Sequence, residues 1–221
     1  MISKLIASVA ILAACAPALP SAAQEKASLV HKYAKGAKDS YRITAKLDQG
    51  GQETEVKVEF QVTILRVTDS GEAEYEFKIE KLEGMGDAEQ TTLTGRFDKM
   101  GLPKDIESEG VGPILAIFSL ASCLPGGELE VGKEFKIDWK AASGGATITG
   151  KSAFTALKTG EKAVADLEHT AVLEDGPTTT VKLAIKSKVD VASGLLSSAT
   201  GSADVGEMQA TFKIERLTAS K

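Results

Sequence analysis

The sequence predicts a mainly β protein: a curved antiparallel sheet or half-open barrel made of two similar meander halves, with one apolar helix near residues 113–122. Three observations carry this. Apolar and polar residues alternate over long stretches, Gly and Asp cluster between those stretches, and one apolar run breaks the alternation just after a proline. Period-two alternation puts one face of a strand on a core and the other in water, as antiparallel sheets require.

Taken in order, residues 1–23 read as an export signal. Lys4 supplies a positive start, Leu5 to Leu12 an apolar run, Pro20 a break, and Ser21-Ala22-Ala23 the small residues that signal peptidase needs before Gln24. The run is shorter than the ~20 residues of a spanning helix. The same segment holds a second reading. Leu12-Ala13-Ala14-Cys15 matches a lipobox, giving a lipoprotein signal over 1–14 and a lipidated Cys15. Location is then periplasmic or secreted in the first case and membrane-anchored in the second, with Cys15 as the only hold on the membrane.

Cleavage after Ala23 leaves 198 of the 221 residues, enough for a single β-rich domain over 24–221. Its halves fall at 30–111 and 128–217, joined by the helix and turn at 112–127. The formal charge is −5, and cleavage removes Lys4 but no acid, making it −6. Both signs are interspersed, so nucleic acid is not an expected partner. Without Cys15 the single thiol is Cys123, in the apolar stretch Leu120 to Leu124, which reads as a small buried hydrophobe. No internal disulfide is expected, and core packing must hold the fold.

The strands follow. Tyr41, Ile43, Ala45 and Leu47 alternate with Arg42, Thr44 and Lys46. Val56, Val58, Phe60, Val62 and Ile64 do the same, as do Ala73, Tyr75, Phe77 and Ile79. The phase slips at Ile64-Leu65 and at Lys81-Leu82, predicting bulges. Later strands carry Phe135, Ile137 and Trp139, then Val181, Leu183 and Ile185, then Met208, Ala210, Phe212 and Ile214. Gly- and Asp-rich turns are expected at Asp48 to Gly51, Asp69-Ser70-Gly71, Thr159-Gly160, Asp175-Gly176-Pro177 and Ser193-Gly194.

Between the halves, Pro113 stands at a first helical position, and Ile114, Ile117, Phe118 and Ala121 share one helical face. The segment is apolar nearly all round, so it must be covered on most sides, as a plug or lid on the open side of a curved sheet. A buried strand is the competing reading. The halves also resemble each other: Phe97-Asp98 to Gly101-Leu102 is echoed by Val189-Asp190 to Gly194-Leu195. Chance similarity between Gly-turned strands would look the same.

Catalytic signals are few. His169 lies on the apolar face of its strand and reads as a core or rim histidine with one nitrogen satisfied. His31, beside Tyr33, is expected to be exposed. Neither metal-ligand spacing nor a nucleophile motif is present, so no cofactor, metal or catalytic residue is expected. The carboxylates sit on polar strand faces among Lys and Arg, predicting cross-strand ion pairs. The aromatic residues are dispersed, which predicts no aromatic platform for sugar or single-stranded nucleic acid.

The signal, Lys35-Gly36-x-Lys38 before Tyr41, Leu124-Pro125-Gly126-Gly127 followed by Val131-Gly132 and an aromatic strand, and the hairpin at Asp98 resemble a loose class of exported bacterial β proteins of unknown function. In architecture the chain is also similar, more distantly, to the half-open barrels of lipoprotein-carrier and lipoprotein-localisation proteins. That likeness implies binding of an acyl chain or lipidated peptide, with Ile114, Ile117 and Phe118 as the apolar ligand or lid residues. The leading expectation is an exported, non-enzymatic envelope protein that binds or carries an apolar small molecule or lipid. One alternative is a structural or assembly protein with an envelope protein partner. The other is a carboxylate-dependent hydrolase.

Overall fold

A computed structural model describes residues 26–84, 91–104, 112–130, 133–141, 144–155, 164–175, 179–205 and 208–217. The signal reading with Cys15 lies outside these residues, as do the turns expected at Thr159-Gly160 and Gly176-Pro177. In chain order the elements are β1 (Lys26–Leu29), β2 (Lys38–Gln49), β3 (Gln52–Val67), β4 (Ala73–Glu83), β5 (Thr92–Phe97) and α1 (Gly112–Ser122). There follow β6 (Gly127–Glu130), β7 (Glu134–Ala141), β8 (Gly144–Thr155), β9 (Val164–Asp175), β10 (Thr179–Asp190), β11 (Leu195–Val205) and β12 (Met208–Leu217).

Ten strands form one antiparallel sheet in the order β5-β4-β3-β2-β12-β11-β10-β9-β8-β7. It is two meanders, β2 to β5 and β7 to β12, paired along β2 and β12 from Met208↔Gln49 to Leu217↔Ser40. Strands β1 and β6, which precede the two meanders, pair with each other apart from this sheet. The alternation read from the sequence is the alternation observed: Val56, Val58, Phe60, Val62 and Ile64 are buried along β3, and Ala73, Tyr75, Phe77 and Ile79 along β4. On the other face, directly paired residues make the expected ion pairs, such as Arg42–Glu59 at 2.7 Å and Lys186–Glu168 at 2.9 Å. The first is half-buried and the second exposed, and an exposed pair contributes about 0–1 kcal/mol.

Both slips of phase are real. Pairing between β3 and β4 jumps from Ile64 to Arg66, turning Leu65 out to 41% exposure. The second irregularity leaves out Glu80, one residue before the expected place. Bulges bend and twist a strand pair, and the sheet curves without closing into a barrel. Its two free edges do meet at one point. Pro103 bridges to Phe97 beside β5, and the Trp139 indole N–H of β7 donates to the Pro103 carbonyl at 3.1 Å.

The apolar run is helical, as expected, and the buried-strand reading falls. Its buried side differs in detail. Leu115, Phe118, Ser119, Leu120, Ala121 and Ser122 are buried, while Ile114 and Ile117 are half-buried and packed against the core. A helix apolar on all sides has no periodic contrast from which its inward face could be read. No helix among the described residues is long and apolar enough to cross a membrane.

Candidate functional site: the seat of the apolar helix

Helix α1 lies against the inner face of the sheet, and Phe118 is its anchor. The Phe118 ring lies 4.8 Å from Tyr41 and 5.1 Å, edge-on, from Phe60, which stacks in turn on Phe77 at 4.5 Å. A second run of rings links His31, Tyr33, Phe97 and Tyr75, with centroids 5.0, 6.3 and 3.9 Å apart. These rings gather in the core, not on a surface where a sugar or a single-stranded nucleic acid could stack. They are dispersed in sequence, but they occupy inward positions on adjacent strands of the first meander, and the sheet brings them together. Each such pair adds about 0.5–1.5 kcal/mol beyond its burial.

The C-terminal end of α1 is held by a polar device. An α-helix leaves its last four carbonyls without intrahelical partners. Here the four belong to Ser119, Leu120, Ala121 and Ser122, and each accepts a side-chain hydrogen bond. Ser122 Oγ donates to Ser119 O at 3.3 Å, and Ser187 Oγ of β10 donates to Ala121 O at 2.6 Å. His169 Nε2 of β9 bonds to Leu120 O at 2.9 Å, and His31 Nε2 bonds to Ser122 O at 3.0 Å. A carbonyl only accepts, so both imidazoles carry their proton on Nε2. That leaves both Nδ1 atoms as buried acceptors with no partner. His169 is 4% exposed, the core histidine with one satisfied nitrogen that its apolar strand face predicted.

His31 is not at the exposed position expected for it. The segment Val30 to Ala34 forms a strap between two corresponding turns, one from each meander. In the first, Asp98 Oδ1 accepts from the Met100 and Leu102 amides, and Gly101 takes φ +85°. In the second, Asp190 Oδ1 accepts from the Ala192 and Ser193 amides, and Gly194 takes φ +71°. A Cβ on Gly101 would lie 2.3 Å from His31 Nε2, and one on Gly194 would lie 2.2 Å from Val30 O. Only glycine allows both the left-handed backbone and this approach. The Lys32 amide closes the clasp by donating to Ser193 O at 3.0 Å. The two turns are alike in their Asp cap and left-handed glycine but differ in length, with the glycine three residues after Asp98 and four after Asp190.

Burial sets the proton affinities here. Loss of water pushes the His31 imidazole down to about 4, against the smaller opposing effect of the Ser122 and Met100 carbonyls near the ring. Burial lowers His169 in the same way. It raises the Tyr33 and Tyr41 hydroxyls, and it pushes the Cys123 thiol up to about 12. Cys123 is buried and free, the small hydrophobe expected from its surroundings.

Space beside the helix is small. A cleft of about 60 Å³ lies under the strap, lined by Tyr33, Tyr41, Val62, Ile64, Phe97 and Phe118 among others. That is room for about two water-sized groups. A broader depression of about 960 Å³ runs over the outer faces of β7 to β11, lined by exposed Lys136, Thr149, Glu168 and Lys186. Among the described residues the buried polar side chains are Thr63, Ser119, Ser122, His169 and Ser187, with no carboxylate among them. The apolar-site residues named from the sequence do come together, with Phe118 deepest. The cap residues were not singled out, although His169 and Ser187 occupy inward strand positions flanked by Leu167 and Ala171, and by Ile185 and Val189. A polar residue at an inward position is the signal that could have found them. Comparison with known protein families, with curated proteins and with solved structures gives no match.

Proposed function

We propose that the chain is an exported, non-enzymatic binding module of the cell envelope, whose ligand is a single lipid-like apolar chain. The observation that carries this reading is an apolar helix seated in the trough of a sheet that stops short of closure. Beneath α1 lies a floor of aromatic rings that an aliphatic chain would wet as well as the helix does. The cleft of about 60 Å³ is far smaller than such a chain, so α1 must yield for the ligand to enter. Ile114, Ile117 and Phe118 then form the moving wall. The assembly reading draws less support, because the edge strand β7 carries exposed Glu134, Lys136, Asp138 and Lys140, charges that resist further pairing. A carboxylate-dependent hydrolase draws none from the described residues.

Titration with a fluorescent long-chain fatty acid tests the proposal. Saturable binding at one site per chain is expected. Phe118→Ala is expected to weaken it about tenfold, equivalent to about 1.4 kcal/mol of lost contact, because the ring that seats the lid also faces the bound chain. Non-saturable uptake, or equal affinity in the variant, would count against the reading.

A further inference from the structure

We propose that His31, Ser187 and His169 form an acid-released latch on the C-terminal end of α1. The inference rests on the reading of α1 as a lid, and it says what holds the lid shut. The geometry has three parts. First, the three groups come from the strap, β10 and β9, so the latch ties α1 to separate parts of the fold. Second, the bonds fall on three successive carbonyls, Leu120, Ala121 and Ser122, at one end of the helix. Third, each imidazole already spends its one N–H on a carbonyl and hides a bare Nδ1 from water. A second proton on either ring would have to sit on that Nδ1, which has no hydrogen-bond partner in His31 or His169, and for His31 the nearby Met100 carbonyl offsets the burial only in part. A buried N⁺–H without a partner is costly, and the cheapest escape is for the ring to leave its carbonyl and reach solvent.

The surrounding charges do little to offset this. Tyr33 stacks on the His31 ring, and the segments that enclose it also carry Lys32, Asp98, Lys99 and Asp190, with Cys123 just after the helix. Helix α1 contributes neither acid nor base. Around His169 the inner face holds Gly150, Ile185, Phe135 and α1, while Glu168 and Lys186 lie on the opposite face. The negative end of the helix dipole favours a cation, but burial outweighs it for both rings. The direction of the effect follows from a folded-state proton affinity below the unfolded value of 6.5. The latch is complete above that value. It weakens as pH falls from 6.5 towards about 4, where the seated His31 would itself take a proton. Ser187 does not titrate, so it sets how much hold remains in acid.

Cys123 directly follows the latched turn and is 1% exposed, which makes it a reporter. In the full chain carrying Cys15→Ala it is the only thiol. Its labelling by a pyridyl disulfide is followed from about pH 7.5 to about pH 4.5, relative to a free thiol, alongside the far-ultraviolet strand signal. Labelling is expected to rise at least about tenfold across this window while the strand signal holds. In His31→Gln/His169→Gln the amide N–H can still donate to each carbonyl but does not titrate, and a flat profile is expected. The single variants give partial flattening and serve if the double variant does not fold. Ser187→Ala is expected to move release to higher pH. Protection of Cys123 throughout, exposure only together with loss of the strand signal, or an unchanged profile in the glutamine variants would overturn the latch. None of these readouts involves a ligand, so failure of the latch is distinct from failure of the binding reading.

Discussion

Phe118→Asp is expected to lose at least about 4 kcal/mol of stability, enough to leave a domain of this size partly unfolded at ambient temperature. Removing the ring is the first part. Phe118 is 5% exposed and touches Tyr41 and Phe60, and deletion of such a ring costs about 3–5 kcal/mol. The carboxylate adds a charge in a site whose described neighbours, Tyr41 and Phe60, are aromatic. It must be protonated, or α1 must leave its seat. Denaturant unfolding of Phe118→Ala and Phe118→Asp separates the two contributions. If Phe118→Asp were as stable as the parent, α1 would not be seated in the trough. The plug and the binding site would both have to be given up.

Gly194→Ala is expected to be the most harmful of the conservative changes in the turns, at about 2–4 kcal/mol. Two penalties act together. At φ +71° an L-residue costs about 1–2 kcal/mol. The new methyl would also stand 2.2 Å from Val30 O and 2.9 Å from His31 Cα, both backbone atoms that move only if the strap moves. Gly71→Ala is the control. Gly71 has φ +83°, but its nearest neighbour would be Lys99 Cβ at 4.0 Å. It should therefore show the backbone penalty alone. A loss at Gly194 no greater than at Gly71 would mean that the strap is loosely held. Thermal unfolding of the three proteins reads the difference directly.

Strand positions, the bulge at Leu65, the burial of Cys123 and the helix after Pro113 were legible because each rests on local pattern. Period-two alternation, a slip of one residue and a proline before an apolar run are read from neighbours alone. The seat of α1 was not legible in the same way. Ser122 and His31 are 91 residues apart, and Leu120 and His169 are 49 apart. Nothing local states that they meet. His31 read as exposed because it stands, beside Tyr33, at the start of the first ordered segment. It is the two distant turns, with glycine where a side chain would collide, that enclose it. The aromatic cluster escaped for a related reason: rings at inward positions of different strands converge only once strand order is known. The single contact between the sheet edges through Trp139 and Pro103 likewise depends on curvature, which alternation does not encode.

The proposed ligand of the trough under α1 is a lipid-like chain. The most direct measurement is native mass spectrometry of the protein purified without detergent from its own host, with organic extraction of the same sample. The expected result is one non-covalent adduct of lipid mass per chain, absent after denaturation and recovered in the extract. A lipid on Cys15 would survive denaturation, so the two are told apart. Bare protein mass, with no adduct formed on incubation with lipids of the same cells, would contradict the account.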